Sequence, residues 1–328
     1  MAYNTALKVR SWKNGGAESQ NVTDYLQSLT WSGNYRDCCR ELSGELLRGA
    51  ICELGGQMRL YHAADVLFSG RCFERGGDSR ERAISFTAYD HGIYLKRNST
   101  YLAVRKQTPE AVTRQICQQY GVTVGKLAVT GCKLSRNFLG VSLYQVIQTM
   151  YTLASKQTGK KYQIRFSGDA LSVITKEINA ESLLLVPGNN LLRCSSRDSI
   201  TDMVNSVAVY NDNFRRTATY KSDKNYIALY GLMEKAIKAS SDESPQKTAK
   251  ELLEENGVQT TISADCIGNL KLISGNTVVV KEPVTKTNGL FWILTDSHTL
   301  TNGIHQTKVT LDFRNLMDEE DAGSLPTK

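Results

Sequence analysis

Four histidines are the first residues whose type could support metal binding or acid–base catalysis: His62, His91, His298 and His305. No two of them are four residues apart, and no HExxH motif occurs, so a metal site has no support. His298 stands close to Asp296 and Ser297 in the run LTDSHTL. Because no GxSxG elbow is present, this closeness does not predict a catalytic triad. The sequence therefore predicts no enzyme and no catalytic or metal-binding residue.

The run Gly121–Lys126 (GVTVGK) is the nearest approach to a phosphate-binding loop. It is one residue too short for GxxxxGK[ST], and Leu127 stands where a hydroxyl is required. A helix stop followed by a loop is the better interpretation. No GxGxxG opens a helix either, so the sequence predicts no cofactor.

Eight cysteines could bind metal or form disulfides, but their spacing favours neither. No CxxC pair occurs, and no Cys/His cluster has zinc spacing. The neighbours Cys38 and Cys39 would point to opposite faces of a strand, which makes them poor disulfide partners. The sequence predicts eight reduced thiols that act as small buried hydrophobes.

The whole composition is that of a folded globular protein. The chain has 328 residues, of which 41% are hydrophobic and 22% charged, and its length suggests two or three domains. No apolar stretch reaches the roughly 20 residues of a membrane span, and the first residues lack the apolar region of a secretory signal. The net charge of +7 comes from scattered residues. We expect neither a membrane partner nor sequence-specific nucleic-acid binding.

Three stretches differ in the period of their apolar residues. Residues 1–105 alternate with period 2, as in antiparallel strands, with Gly-rich turns between them. Residues 106–182 contain two predicted helices and further strands. Residues 183–317 return to strands, interrupted by one predicted helix at 245–256. The remaining residues, 318–328, are acidic and polar and are predicted to be flexible. The fold class expected is mainly β with an α/β insertion.

The helices of the middle stretch carry clear start and stop signals. Thr108 is a predicted N-cap with Pro109 in the first position, and Gly121 follows the helix. Ser142 and Gln145 have the spacing of a capping box, and Gly159 is the predicted stop.

The first and third stretches resemble each other. Residues 21–31 (NVTDYLQSLTW) parallel residues 199–209 (SITDMVNSVAV), and residues 67–90 parallel residues 290–313. The second copy carries about 45 additional residues, among which the helix at 245–256 falls. The sequence predicts a duplicated β domain, which would let a ring of n chains present 2n similar units.

Residues 101–127 are similar to a LysM module, the peptidoglycan-binding repeat. Lys106, Gln107 and Thr108 replace the Gly-Asp-Thr turn of that family, Pro109 follows them, and no Asn comes after Leu127. The departures fall in the turns that form the glycan groove. The helix is therefore expected as a scaffold, and weak or no sugar binding is expected.

Over about residues 25–320 the chain resembles the baseplate hub proteins of contractile phage tails, defective prophages and phage-tail-like bacteriocins. These are the XkdQ-type hubs, which are related more distantly to late control protein D. The resemblance rests on several stretches in this order: LTWSGNYRDCCRELSGELL, YDHGIYLKRNSTYLAVRKQTPEAVTRQICQQYGV, LASKQTGKKYQIRF, LVPGNNLL with SITDMVNSVAVYN, VVVKEPVTKTNGLFWILTDSHT and TLDFRNLMDEED.

The resemblance implies a structural protein that forms a homotrimer. Each chain would supply two tube-type β-barrel domains to a pseudo-sixfold ring, with the α/β domain outside. The ring would join a hexameric tail tube, or its initiator protein, to a trimeric spike. Baseplate wedge proteins and the tape measure protein are further partners that it implies. Assembly in the bacterial cytoplasm is expected. The alternative function is a tail component that binds or degrades peptidoglycan, suggested by the LysM-like segment alone.

Overall fold

A computed structural model describes residues 7–179, 181–238 and 244–326. Within these ranges the chain forms two compact units. The first contains the residues up to Cys194 and those from Ser263 onward, and the second is Ser195–Ile262. Each unit is described by itself.

The first stretch is built of strands, as its period-2 pattern predicts. They are β1 (Leu7–Trp12), β2 (Ser19–Asn21), β3 (Leu26–Asn34), β4 (Glu41–Leu47), β5 (Gln57–His62), β6 (Asp65–Gly76) and β7 (Ala83–Asp90). In β1, Leu7 and Val9 are buried while Lys8 and Arg10 are exposed. Their apolar faces form one core with side chains that include Trp31, Leu42, Met58, Leu60, Phe68 and Phe86. Burial of this single face is what fixes the register of the strands.

The middle stretch alternates helices and strands. Its elements are α1 (Gly92–Arg97), β8 (Ser99–Gln107), α2 (Pro109–Gln119), β9 (Thr123–Leu127), β10 (Leu134–Ser142), α3 (Leu143–Thr158), β11 (Tyr162–Ser167) and β12 (Ala170–Thr175). The predicted caps are confirmed. Thr108 accepts a hydrogen bond from the amide of Ala111, Ser142 and Gln145 form a capping box, and Gly159 ends α3 at φ 71°. That left-handed conformation favours glycine.

The boundary predicted at residue 106 does not coincide with a boundary of the core. Strand β8 begins at Ser99 and pairs with β10, and the core around α3 includes Leu95 and Val104. Met317, from the far end of the chain, belongs to the same core. Residues that precede position 106 and a residue near the end of the chain therefore complete the core of the 106–182 segment.

Residues 318–324 of the acidic tail contact the middle stretch, so the prediction of a flexible segment at 318–328 is wrong for these residues, while residues 327 and 328 lie outside the described residues. Asp318 accepts a hydrogen bond from the Tyr144 hydroxyl, and Arg136 forms an ion pair with Asp321. The tail also satisfies buried polar side chains of α3, namely Gln148, Thr149 and Thr152. The polar composition of the tail predicted that it would be exposed to solvent. Its polar groups instead form hydrogen bonds with polar side chains of the helix.

The third stretch contains β13 (Leu183–Leu185), β14 (Leu191–Ser199), β15 (Ser206–Tyr210), β16 (Arg216–Lys221), α4 (Tyr226–Tyr230), β17 (Glu234–Lys238), α5 (Pro245–Glu255), β18 (Gln259–Ile267), β19 (Thr277–Glu282), β20 (Thr287–Thr301) and β21 (Ile304–Asp312). The predicted helix at 245–256 is α5. It belongs to the second unit, in which β15 pairs with β16 and β17. The additional length of this stretch is thus a small α/β unit and more than a single helix.

Thirteen strands form one sheet in the order β14-β18-β21-β20-β3-β4-β7-β6-β5-β1-β2, with β19 paired to β20 and β13 paired to β19. Strands β14 and β18 cross the limit between the two units, and only Leu191–Cys194 and Ser263–Ile267 belong to the first. The molecule is mainly β, as predicted.

Candidate assembly site

Strand β20 joins the first and third stretches within the chain. Its residues 287–292 pair with β19, and its residues 295–301 pair with β3 on the same edge. The register places His298 opposite Trp31 and Asp296 opposite Gly33. The amide of Tyr35 donates to the carbonyl of Leu294 at 2.8 Å, which extends the contact by one more residue. We call this pairing of β3 with β20 the sheet joint.

A buried ion pair holds the sheet joint. The Arg40 guanidinium, just before β4, pairs with the Asp296 carboxylate of β20, whose side chain is fully buried. The Ser274 amide also donates to Asp296 at 2.7 Å. Burial by itself raises the pKa of Asp296, yet Arg40 and His298 bring it down to about 2. Asp296 therefore stays ionised, and its charge is compensated.

The position of Arg40 is fixed from both sides. Its guanidinium carbon lies 4.1 Å from the centre of the Trp31 ring. Its amide donates to Asp90 at 3.0 Å, and Asp90 also accepts from the amide of Gly92. Burial raises the pKa of Asp90 to about 7. Stacking on Trp31 and backbone bonding to Asp90 thus support the orientation in which Arg40 reaches Asp296.

The Asp296–Ser297–His298 run does not form a catalytic triad. Asp296 and His298 lie on the same buried face, with His298 Nε2 3.4 Å from Asp296 Oδ2. Ser297 lies between them in the strand and faces the other side of the sheet. His298 Nδ1 faces the Thr307 hydroxyl at 3.1 Å and His305 Nε2 at 3.3 Å. Burial, and then His298, lower the pKa of His305 to about 4.

The other residues noted in the sequence lie apart from the sheet joint. Gly121 has φ 67° at the end of α2, and Lys126 lies in β9, so this run is a helix stop followed by a strand. His62 ends β5, and His91 lies 3.5 Å from Asp169. Among residues 7–179, 181–238 and 244–326, no group of three or more His, Cys, Asp or Glu could hold a metal ion. All eight cysteines are free thiols.

The predicted duplication rests on two pairs of matched segments, and only one pair occupies corresponding positions in the fold. Residues 67–90 and 290–313 cover the hairpins β6–β7 and β20–β21, and each hairpin has a bulge in its long first strand, at Phe73 and at Leu294. Residues 21–31 lead into β3 of the large sheet, whereas residues 199–209 lead into β15 of a separate three-stranded sheet. These two short segments therefore do not occupy equivalent places. Their sequence similarity arises because many strands share the same alternation of apolar and polar residues.

Several strand edges carry no neighbour in the part of the chain that the structure describes, and two of them matter for the large sheet. One belongs to β14, which ends the sheet and exposes Leu192 and Arg193. The other is residues Glu74–Gly76 of β6, which pair with β7 on one side only and are all exposed. Unpaired edges of this kind are templates for strands from another chain.

The Arg40–Asp296 pair and the two edges are candidate functional features that the sequence did not reveal. Arg40 and Asp296 are 256 residues apart, and no motif links them. An unpaired edge depends on the strand order, which the sequence pattern does not contain.

A search of the described helices finds none that is long and apolar enough to cross a membrane. A profile of the family described as YQBQ-like matches residues 29–312. The phage-like element PBSX protein XkdQ of Bacillus subtilis (strain 168) is 24% identical over 263 residues, which cover 77% of this chain and 80% of that protein.

Two solved structures share the fold. The 43 kDa tail protein of prophage MuSo2 from Shewanella oneidensis matches with a TM-score of 0.71 at 11% identity, over 95% of this chain and 99% of that one. The E. coli c3393 protein matches with a TM-score of 0.55 at 12% identity, over 98% of this chain and 79% of that one. It is described as a type VI secretion component with structural similarity to the T4 bacteriophage tail proteins gp27 and gp5.

Proposed function

The chain belongs to the YQBQ-like family, and on that premise we propose that it is the structural baseplate hub of a contractile tail or tail-like particle. Three copies form a ring that adapts a hexameric tail tube, or its initiator, to a trimeric spike. Wedge proteins and the tape measure protein complete the set of partners. Assembly takes place in the bacterial cytoplasm. The number three comes from the family resemblance, and the way the copies join comes from the strand order.

The observation that carries the proposal is a repeated order of strands. The first stretch contains the series β1-β5-β6-β7-β4-β3, and the third contains β13-β19-β20-β21-β18-β14. In each series the long strand, β6 or β20, has its bulge where it passes from one neighbour to the next. The series differ at their outer ends, since β1 pairs antiparallel with β5 while β13 pairs parallel with β19.

This correspondence predicts a contact between chains. Strand β3 ends the first series and attaches to β20 of the second just after the bulge at Leu294. The counterpart of β3 is β14, and the counterpart of that position on β20 is Glu74–Gly76 of β6. Both counterparts are unpaired among the residues that the structure describes. If the sheet joint is repeated between chains, β14 of one copy pairs with Glu74–Gly76 of the next, and each chain adds two similar units to a ring.

Arg193 is the residue of β14 best placed to test this contact. The carbonyl of Asn190 accepts a bond from the amide of Ile267 in β18. Because backbone groups alternate along a strand, the N–H and C=O of Arg193 point to the outer edge. Arg193→Pro removes the outward donor but leaves the pairing with β18 intact, as prolines on edge strands do. Arg193→Ala keeps the donor and is the matched control.

The experiment is native mass spectrometry of the chain co-expressed with its spike and tube partners. We expect three copies per complex for the wild type and for Arg193→Ala. For Arg193→Pro we expect complexes with fewer than three copies, while circular dichroism shows a folded chain. A wild-type stoichiometry other than three contradicts the hub. Three copies with Arg193→Pro contradict only the β14 contact.

The alternative, a component that binds or degrades peptidoglycan, is separated from the hub by two assays. A pull-down with insoluble peptidoglycan should leave the chain in the supernatant, and zymography on several peptidoglycans should show no clearing. Retention on the pellet, or clearing that survives repurification, would favour the alternative.

A further inference from the structure

Two cysteine side chains face each other, one from the loop of residues 48–56 and the other from strand β6. The Sγ atoms of Cys52 and Cys72 are 3.9 Å apart, and the residues are 3% and 1% exposed. A disulfide has an S–S distance of about 2.0 Å. The sulfurs therefore need to approach by about 2 Å, a distance that small rotations of the two side chains can supply.

The backbone already holds the two residues together. The Gly55 amide donates to the carbonyl of Cys72 at 2.7 Å, and the Cys72 amide donates to the carbonyl of Gly56 at 2.9 Å. Arg75 Nη1 donates to the carbonyl of Cys52 at 3.0 Å. The loop is thus attached to β6 at the cysteine itself, which keeps the two sulfurs close to each other.

The surroundings favour one thiol of the pair as the nucleophile. A hydrogen bond from Cys72 and the charge of Arg75 lower the pKa of Cys52, against the effect of its burial. Burial raises the pKa of Cys38, Cys39, Cys117 and Cys266. Because the thiolate is the reactive form, Cys52 is favoured over these four.

We propose that Cys52 and Cys72 are a redox pair that peroxide converts to an intramolecular disulfide. The Cys52 thiolate attacks one oxygen of hydrogen peroxide, which forms an S–O bond, breaks the O–O bond and releases hydroxide. The Cys72 sulfur then attacks the Cys52 sulfenic acid, the S–S bond forms, and the second hydroxide leaves. Protons from the two thiols convert both hydroxides to water, so the sulfurs lose the two electrons that the peroxide gains.

The disulfide would link the 48–56 loop covalently to β6, immediately before the unpaired strand edge at Glu74–Gly76. It closes a loop of about 20 residues and so restricts the unfolded chain. The site does not depend on the hub proposal, because both sulfurs belong to one chain.

The test uses the full chain, purified in reductant and then freed of it under argon. One equivalent of hydrogen peroxide is added, free thiols are alkylated, and tryptic peptides are analysed without reduction. We expect peptide 49–59 joined to peptide 72–75, with more than half of the Cys72 signal in the joined form, and release by dithiothreitol. Cys72 recovered in alkylated form, or joined to another cysteine, would overturn the proposal.

Two variants complete the test. Cys266→Ser removes another buried thiol and should keep the joined peptides, whereas Cys52→Ser should lose them. Peroxide should raise the melting temperature of the wild type and leave that of Cys52→Ser unchanged. An unchanged melting temperature of the joined wild-type protein would contradict the role of this covalent link. Joined peptides that are also lost in Cys266→Ser would contradict the pairing of Cys52 with Cys72.

Discussion

At the scale of single residues, the sheet joint depends on charges that compensate each other in a buried place. Arg40 and Asp296 are far apart in the sequence, so only the folded chain brings them together. The carboxylate of Asp90 positions the backbone of Arg40 by accepting a hydrogen bond from its amide. Replacing both charges by apolar residues would cost little, but removing one leaves the other uncompensated. The pair therefore links β20 to the residues just before β4.

The first prediction concerns this pair. Asp296→Asn should lower the free energy of unfolding by about 3–5 kcal/mol, because it leaves the Arg40 guanidinium buried without a counter-charge. Urea denaturation measures the change. Lys247→Ala breaks an exposed pair with Glu251 and is the control, for which a loss below about 0.5 kcal/mol is expected. Similar losses in the two variants would contradict this account of the joint.

The second prediction concerns His305, whose pKa is lowered from 6.5 to about 4 in the folded chain. The unfolded state therefore binds a proton at a higher pH than the folded state does. The contribution of neutral His305 is present above pH 6.5 and is lost as pH falls from about 6.5 to 4. Since His305 is partly open to solvent, we expect a loss of roughly 1–2 kcal/mol.

The measurement is the difference in urea stability between the wild type and His305→Gln at several pH values. Other titrating groups, Asp90 and Asp296 among them, are present in both proteins and largely cancel. The difference should fall as the pH is lowered from 6.5 to 4. A difference that is independent of pH would refute the role assigned to His305.

At the scale of elements, local chemistry was predictable and long-range pairing was not. Thr108, Ser142 and Gly159 act within a few residues of their own positions, and each was placed correctly. The sheet joint and the packed tail depend on partners far along the chain, for which strand patterns carry no signal. The same degeneracy produced the false match of residues 21–31 with residues 199–209.

The third prediction uses the capping box of α3. Ser142→Ala should destabilise the chain by about 1 kcal/mol, because the amide of Gln145 loses its acceptor. Ser244→Ala is the matched control, since Ser244 precedes α5 without making a side-chain cap hydrogen bond. Thermal denaturation of both variants measures the effect. Equal losses would show that the cap bond is unimportant.

The fourth prediction uses the packed tail. Truncation after Met317 removes the partners of Tyr144 and Arg136 and leaves buried polar groups of α3 unpaired. We expect lower stability and faster hydrogen exchange in α3. A chain that ends at Leu325 keeps these partners and should behave as the wild type does. Unchanged exchange in α3 after the longer truncation would contradict the packing described.

At the scale of the whole molecule, the proposed ring rests on two similar units in one chain. The fifth prediction concerns this ring, and the measurement is a structure of the assembled particle by electron cryo-microscopy. We expect three copies whose two strand series alternate around the axis, with sixfold symmetry that is only approximate, because the α/β unit with α5 belongs to one series. Six copies, or two series that fail to superpose, would refute the ring.

The length of chain between β3 and β20 has a consequence for synthesis on the ribosome. Arg40 and Asp296 are 256 residues apart, so at roughly 5–20 residues per second the edge of β3 waits about 10–50 s for its partner. During that time the nascent chain exposes a strand edge that is able to pair with other chains. Newly made protein should therefore engage chaperones until translation passes residue 301. A codon change that slows translation between residues 40 and 287 would lower the yield of native protein without altering its sequence.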